Sequence, residues 1–596
     1  MMIQSIGLTA GGTLTGLVGR RPREVPSRWI SVAPNAREAR GRSRFLRRGL
    51  PVLAGVAGAA LCAGALVGVL RSTDDEQAAG AFARAWEHED YGAMQRLLTP
   101  EARARVDRRA LARAYRDAAT TATAGRVSTG ETDQDGDAVL VPVAVRTRAF
   151  GEVRGDVRLP MADGHVAWGP DLAFPGLHPG ERLSRRTRAP QRADILTRDG
   201  KTIASGAAAT RSVGLGEAGA SVAGTLGPPP SRAEARDLDL RGFPPGSVVG
   251  ISGLERILDV AVAGQPGGEL RAGRRVLARS TPRPARAVRT TLDREVQAAA
   301  AGAIAGRLGG AVALDARTGE IRGLAGIAFS APQPPGSTFK IVTATAALER
   351  RVVRPGDRFP VQTKTVIDGT DLENANGESC GGTFAQSFAR SCNSVFAPLG
   401  VKVGARRLLA TARRYGFDEP PGIPGALRST LPSAADVGTP FALGSTAIGQ
   451  GRLLATPLLL ASMAQTVANG GERRRPTIVA GRRNGPPVRV TSPAVARTVG
   501  GLMADVVAYG TGTKASLAPV KVAGKTGTAE LENTTDDTPP GETSDAGSDT
   551  DAWFTSYAPL SRPRVAVAVL LVKAGAGGDT AAPAAKQVLQ AALRSR

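Results

Sequence analysis

The chain has 596 residues, too many for one ordinary core, so three or four folded units are expected. Apolar residues at 42% exclude wholesale disorder, while 74 glycines and 41 prolines imply many turns and loops. The net charge of +24 admits anionic partners (nucleic acid, anionic lipid, acidic wall polymer) without choosing among them, and the same balance arises if arginine merely stands where lysine would have served. Three cysteines, Cys62, Cys380 and Cys392, exclude a disulfide-rich scaffold; the last two can pair in an exported domain or remain free thiols. No C-x-x-C or His/Cys cluster is present, so neither a metal site nor a cofactor is expected. The only histidines are His88, His165 and His178, and nothing after position 178 can supply an imidazole.

In chain order, residues 1–48 form a basic tail with ten arginines against Glu24 and Glu38. Residues 49–70 (GLPVLAGVAGAALCAGALVGVL) are 22 positions without a charge, enough to cross a bilayer. Asp74, Asp75 and Glu76 follow. The positive-inside rule then keeps the N-terminus cytoplasmic and places everything after Arg71 outside. The run is long for a cleaved signal, and no small-x-small site follows it, so an uncleaved single-pass anchor is expected.

Residues 74–98 read as an amphipathic helix, with Phe82 and Trp86 four apart and Met94, Leu97 and Leu98 continuing the apolar side. A second helix is expected over 106–121. Val139, Val141, Val143 and Val145 alternate as in a half-buried strand, and 168–177 (WGPDLAFPGL) closes the unit with turn residues. Two helices, a curved sheet and W-x-P-x-L-x-F-P-x-L resemble a nuclear-transport-factor-two-like domain at 74–184, whose Trp and Phe are either core or the wall of a ligand cavity. Residues 185–290 are Gly-, Pro- and Arg-rich. Within them 194–204 (DILTRDGKTIA) reads as strand, D-G turn and strand. It resembles the opening of the pedestal, or dimerisation, domain of class B penicillin-binding proteins, and 252–267 (SGLERILDVAVAGQPG) resembles that domain's S-G-L-E helix. A spacer role is expected there.

Residues 291–596 carry the chemistry. Gly310 to Gly326 reads as strand, turn and strand, and Pro334-Pro335-Gly336-Ser337-Thr338-Phe339-Lys340 as a loop entering a helix that runs to about Leu348. On a helix, i and i+3 share a face, so Ser337 and Lys340 are neighbours. A serine hydroxyl is a weak nucleophile until a base takes its proton. Lysine is the base available, provided burial and a second cation depress its pKa from about 10.4. Ser391-Cys392-Asn393 follows Ser337 by 54 residues, and Lys525-Thr526-Gly527-Thr528 follows Ser391 by 134. S-x-x-K, S-x-N and K-T-G in this order form the active-serine set of penicillin-binding proteins and class A β-lactamases.

On these motifs the chain resembles a class B penicillin-binding protein of actinobacterial type. Two further stretches agree: 448–471 resembles the G-Q-G-x-x-x-x-T-P helix beside the active site, and Trp553-Phe554 with Tyr557-Ala558-Pro559 resembles the strand next to K-T-G, with Asp551 where a histidine is common. The implied fold is multidomain α+β: a transmembrane helix, a small α+β cone-like domain, a β-rich pedestal and a C-terminal penicillin-binding, β-lactamase-like domain with an antiparallel sheet flanked by helices. The implied activity is D,D-transpeptidation of peptidoglycan. Ser337 is then the nucleophile, Lys340 its base, Ser391 a proton relay, Asn393 a holder of the substrate amide, and Lys525 a fixed cation for the terminal carboxylate. Thr526, Gly527 and Thr528 bind the substrate, and the backbone N–H groups of Ser337 and Thr528 form the oxyanion hole. A flat pleat places Lys525 and Thr528 on opposite faces, so both serve only if the strand twists near Gly527.

The implied partners are stem peptides and nascent glycan strands, penicillin and other β-lactams, the cytoplasmic membrane and a glycosyltransferase of the wall machinery, with no nucleic acid. A β-lactamase would need a deacylating glutamate, and Glu419 and Glu472 lack the E-x-x-L-N pattern. A β-lactam sensor would need a cytoplasmic module larger than residues 1–48. Residues 530–551 hold eight acids and no Lys or Arg, as in a solvated loop.

Overall fold

The acidic first turn Asp74–Glu76 opens a helix, as expected, but the apolar pattern is carried by two helices rather than one. In the computed structural model, which describes residues 74–530 and 550–595, the first ends at Glu87. Glu89 then takes φ +55, and Asp90 caps Tyr91–Arg96 by accepting from the Gly92 and Ala93 N–H groups. A side chain that bonds its own downstream backbone competes with helix continuation, so the period survives while the axis breaks. Asp107 caps the next long helix, Arg108–Ala122. The four alternating valines lie on the strand Ala138–Thr147, all buried, between Ala124–Thr129 and Gly151–Ala162. Trp168 and Phe174 are core: Trp168 Nε1 donates to the Tyr115 hydroxyl at 3.2 Å, and Tyr115 packs edge-on against Trp86.

In the middle region Ile195–Leu196 and Thr202–Ser205 pair across a turn where Gly200 takes φ +86. A three-stranded sheet (Leu183–Arg188, Gly267–Ala272, Arg275–Ser280) sends Leu270 into the core of the preceding unit. The S-G-L-E segment forms two short helices, Gly253–Ile257 and Asp259–Val262, and its glutamate is 1% exposed. Glu255 accepts from Arg192 Nε at 2.6 Å and Arg211 Nε at 2.7 Å, and Arg192 also donates to Asp259 at 2.9 Å.

The C-terminal region is built on one five-stranded antiparallel sheet, in the order Ile321–Gly326, Gly309–Asp315, Val565–Leu571, Thr550–Ala558, Ala523–Glu530. Helices Arg294–Ile304 and Ala581–Arg594 cover one face. Pro457–Ala468 lies across the other, capped by Thr456 with proline at its first position and tied down by Thr555 Oγ1, which donates to Leu460 O at 2.8 Å. Beyond it a helical layer (Lys340–Glu349, Phe384–Ala389, Asn393–Val403, Ala405–Tyr415, Pro493–Ala508) packs around Phe384, Phe388 and Phe396. The two candidate thiols are paired: Cys380 and Cys392 form a disulfide with Cα atoms 5.4 Å apart. The expected membrane-spanning run 49–70 and nearly all of the acidic stretch 530–551 lie outside the described residues. Among the described residues no helix is long and apolar enough to cross a membrane.

Removing Glu255 leaves two buried guanidinium groups without their shared carboxylate. We expect Glu255→Ala to cost about 3–5 kcal/mol of stability, read as a fall in the urea unfolding midpoint. Arg279→Ala, at an arginine whose side chain is 70% exposed beside Glu269, should leave the midpoint unchanged within error.

Candidate active site

Three separate chain segments deliver the site. Pro335 and Gly336, the latter at φ +50, lead into a single 3-10 turn, Gly336–Phe339, and the α-helix Lys340–Glu349 starts only at the lysine. The helix expected to carry both residues thus begins later than Ser337. The i,i+3 neighbourhood survives because a 3-10 turn brings i and i+3 into line. Ser337 Oγ is 2.9 Å from Lys340 Nζ. The S-x-N segment lies between Phe384–Ala389 and Asn393–Val403, with Ser391 at φ +64. Lys525 sits on Ala523–Glu530, the edge strand of the sheet.

Lys340 Nζ has four oxygen neighbours: Ser337 Oγ at 2.9 Å, Ser391 O at 2.7 Å, Ser391 Oγ at 3.1 Å and Asn393 Oδ1 at 2.6 Å. Asn393 Nδ2 donates to Glu373 O at 2.9 Å, which fixes the amide with its oxygen toward the lysine. The carbonyl of Ser391 and the amide oxygen of Asn393 can only accept, and a neutral amine has two N–H groups and one lone pair. If those two acceptors take the two N–H groups, the lone pair is left for a hydroxyl, that of Ser337 or Ser391. The electrostatics favour the neutral form. Lys340 is fully buried, and desolvation, then the charge of Lys525, holds its pKa well below the ordinary 10.5.

Lys525 is also fully buried, and burial pushes it down to about 7. Its Nζ donates to Ser391 Oγ at 2.9 Å and to Thr526 O at 3.0 Å. Burial thus works against the charge that the sequence reading assigns to Lys525. Ser391 Oγ bridges the two lysines. Asn393 uses both ends of its amide inside the protein, the oxygen on Lys340 and the nitrogen on Glu373 O.

The pleat alternation holds along the strand. Lys525 faces Ser391, and a Cβ at Gly527 would lie 2.8 Å from Pro335 O and 2.9 Å from Thr338 Cγ2. On the other face the Thr526 hydroxyl is 2.6 Å from that of Thr511, and Gly577 N donates to Thr528 Oγ1 at 3.4 Å. The bare Gly527 thus makes room for the turn that carries Ser337, a use in addition to the expected approach of an extended peptide. Sequence reasoning missed Thr511, which has no motif of its own, and Glu373 and Asn374, which orient the S-x-N segment through Asn393 Nδ2 and Ser394 N. Trp553 was legible as part of its strand motif, and its Nε1 donates to Pro334 O at 2.8 Å, steadying the turn before Ser337. Among the described residues no group of histidine, cysteine or carboxylate side chains forms a metal site.

Residues 309–590 match the family model described as the penicillin binding protein transpeptidase domain. The peptidoglycan D,D-transpeptidase PbpA of Mycobacterium tuberculosis is 37% identical over 292 residues, covering 45% of this chain and 56% of that protein, so the chain spans little more than half the length of this curated relative. PbpB of Mycolicibacterium smegmatis is 28% identical over 427 residues, 58% of this chain and 63% of that protein. The crystal structure of PBPA from M. tuberculosis aligns with a TM-score of 0.53 at 26% identity over 68% of this chain and 99% of that one. The same protein is also known as a ceftriaxone acyl-enzyme complex. With a buried lysine beside a turn-borne serine, an S-x-N segment against both and an edge strand bearing K-T-G, residues 309–590 are similar to the penicillin binding protein transpeptidase domain in both sequence and site geometry.

Proposed function

We propose that the protein is a peptidoglycan D,D-transpeptidase in which Ser337 is acylated by the penultimate D-alanine of a stem peptide. The observation that carries this is the amine of Lys340, 2.9 Å from Ser337 Oγ and depressed by burial. Lys340 takes the hydroxyl proton as Oγ attacks the carbonyl carbon. The negative oxygen is held by the backbone N–H groups of Ser337 and Thr528. The peptide C–N bond breaks, and Ser391 passes the proton to the departing D-alanine amine. The amine of a neighbouring stem then attacks the ester and frees Ser337. Lys525 meets the substrate's terminal carboxylate, whose arrival favours the charged form of that lysine, while Thr526, Gly527 and Thr528 offer the substrate their backbone along the strand edge. The unpaired outer edge of Ala523–Glu530 suits an extended peptide laid alongside it. Durable esters with penicillins and other β-lactams follow from the same geometry. The two glutamates between the second and third motifs that a lactamase reading would draw on are engaged elsewhere: Glu419 pairs with Arg473 and Arg475, and Glu472 with Arg474 and Arg489.

We place the protein in the cytoplasmic membrane, with residues 49–70 as a single-pass anchor, the N-terminus inside and the catalytic region outside. The charge bias around 49–70 supports this, as does the disulfide, since such bonds persist in oxidising compartments. Helices packed on an antiparallel sheet at 74–184 support a nuclear-transport-factor-two-like unit there, with 185–290 as the pedestal. Nascent glycan strands and a glycosyltransferase partner belong to the same reading.

Ser337→Ala should lower acylation by a fluorescent penicillin on the order of a millionfold, below detection on a gel; persistent labelling of the variant would refute the assignment. Lys340→Ala should slow acylation by about 10²–10⁴-fold while the unfolding midpoint is kept. The second-order acylation constant should be bell-shaped in pH. It rises as Lys340 loses its proton, well below 10.5, and falls as free-enzyme Lys525 loses its charge near 7, the two limbs belonging to the coupled pair. A penicillin esterified at its carboxylate should lack the alkaline limb, and an unchanged limb would remove Lys525 from carboxylate binding.

A further inference from the structure

The middle residue of the S-C-N segment is covalently tied to another part of the chain. Arg390 ends one helix, Ser391 takes φ +64, and Cys392 precedes the Asn393–Val403 helix. A non-glycine residue at that φ is disfavoured and persists only where its surroundings hold it. Cys392 is bonded to Cys380, on the strand Cys380–Thr383, which pairs with Arg358–Gln362. Both sulfurs are buried in the core that holds Phe384, Phe388 and Phe396. The segment 358–383 reaches the motif twice more, through Glu373 O to Asn393 Nδ2 at 2.9 Å and Asn374 Oδ1 to Ser394 N at 2.9 Å. That segment has little core of its own: Val361 and Val366 are 65% and 63% exposed, and Ile367, Leu372 and Cys380 are its buried apolar side chains. Of the three ties, only the disulfide does not open and close thermally.

We infer that the Cys380–Cys392 disulfide is a positioning clamp for residues 391–393, holding Ser391 Oγ and Asn393 Oδ1 on the Lys340 amine. This rests on the transpeptidase reading, since it concerns how fast Ser337 is acylated. Ser337 and Lys340 share one buried turn and keep each other's company without help. Ser391 and Asn393 come from a strained stretch between helices, and their oxygens lie 3.1 and 2.6 Å from Nζ only while that stretch keeps its shape. A drift of about 1 Å there is enough to cost on the order of 100-fold in rate. A merely structural disulfide would change stability and leave the reaction of each folded molecule as it was.

The test uses the full chain in three forms: Cys380→Ser, Cys380→Ser with Cys392→Ser, and the parent reduced with dithiothreitol. The reductant supplies two electrons and two protons, leaving two thiols and closing to its own cyclic disulfide. The readouts are the second-order acylation constant at Ser337 with a fluorescent penicillin, its pH profile and the unfolding midpoint. The expected result is a fall of roughly 10–100-fold in all three forms. The acid limb should move to higher pH as water reaches Lys340, and reoxidation of the reduced parent should restore its rate. An unchanged constant and profile in the folded, reduced protein overturns the inference while leaving Ser337 as nucleophile. Absence of Ser337 labelling in the oxidised parent overturns the transpeptidase reading instead. Should the serine variants fail to fold, the reduced parent decides, measured where its circular dichroism matches that of the oxidised form.

Discussion

Lys340 carries an amine with no solvent around it, and the site is arranged by what that requires. An ammonium removed from water is costly unless an anion compensates it. Among the described residues no carboxylate pairs with either active-site lysine, and the neighbours of Lys340 are two hydroxyls, a carbonyl and an amide oxygen. Phe396 lies 5.9 Å from Lys340 Nζ and Phe388 5.7 Å from Lys525 Nζ, a softer compensation than an anion. The neutral amine is the form this environment tolerates best, and it is also the form with a lone pair to offer a serine. Two lysines sharing the Ser391 hydroxyl reinforce the effect, because each charged form disfavours the other.

That arrangement needs three segments brought closer than ordinary side chains allow. Gly336 N donates to Gly449 O at 3.1 Å, and a Cβ on Gly336 would sit 2.5 Å from Thr528 O. With Gly527 against Pro335, these glycines let the serine turn, the G-Q-G loop and the edge strand meet backbone to backbone. The placement of Ser337 and Lys525 is a consequence of backbone packing, with the five-stranded sheet as the reference and Trp553 fastening the turn to it.

The motifs made the meeting of Ser337, Lys340, Ser391, Asn393 and Lys525 legible, because serine, lysine and asparagine at those spacings have few other uses in that order, and the alternating valines marked the strand at 138–147 by their period. Three features were not legible, each for a physical cause. The break after Glu87 depends on Asp90 bonding backbone two and three residues ahead, which does not disturb the apolar period. Pairing of Cys380 with Cys392 depends on a strand and a helix start meeting in space, about which a separation of 12 residues says nothing. The burial of Lys525 comes from packing: K-T-G marks where a cation belongs, and only the surrounding fold shows that burial works against its charge. Glu255 was visible as part of S-G-L-E but without a reason, since Arg192 and Arg211 reach it from other segments.

The excess of arginine has a use within the fold that the charge balance concealed. Backbone carbonyls in loops and at helix C-termini lack the full set of ladder partners, and such groups are open to side-chain donors. Arg185 donates to Thr120 O, Arg211 to Gly206 O and Ala193 O, and Arg275 to Gly176 O. Arg414 donates to Val490 O, and Arg564 to Leu593 O and Ser595 O. A guanidinium offers five donors in a rigid fork, so one side chain can hold a carboxylate and a carbonyl together, as Arg275 does with Glu181 and Gly176. Lysine, with a single charged nitrogen on a flexible stem, does this poorly. Part of the positive charge is therefore tied to carbonyls in loops and at helix ends, and there it is the choice of arginine over lysine, rather than the net sign, that carries structural information.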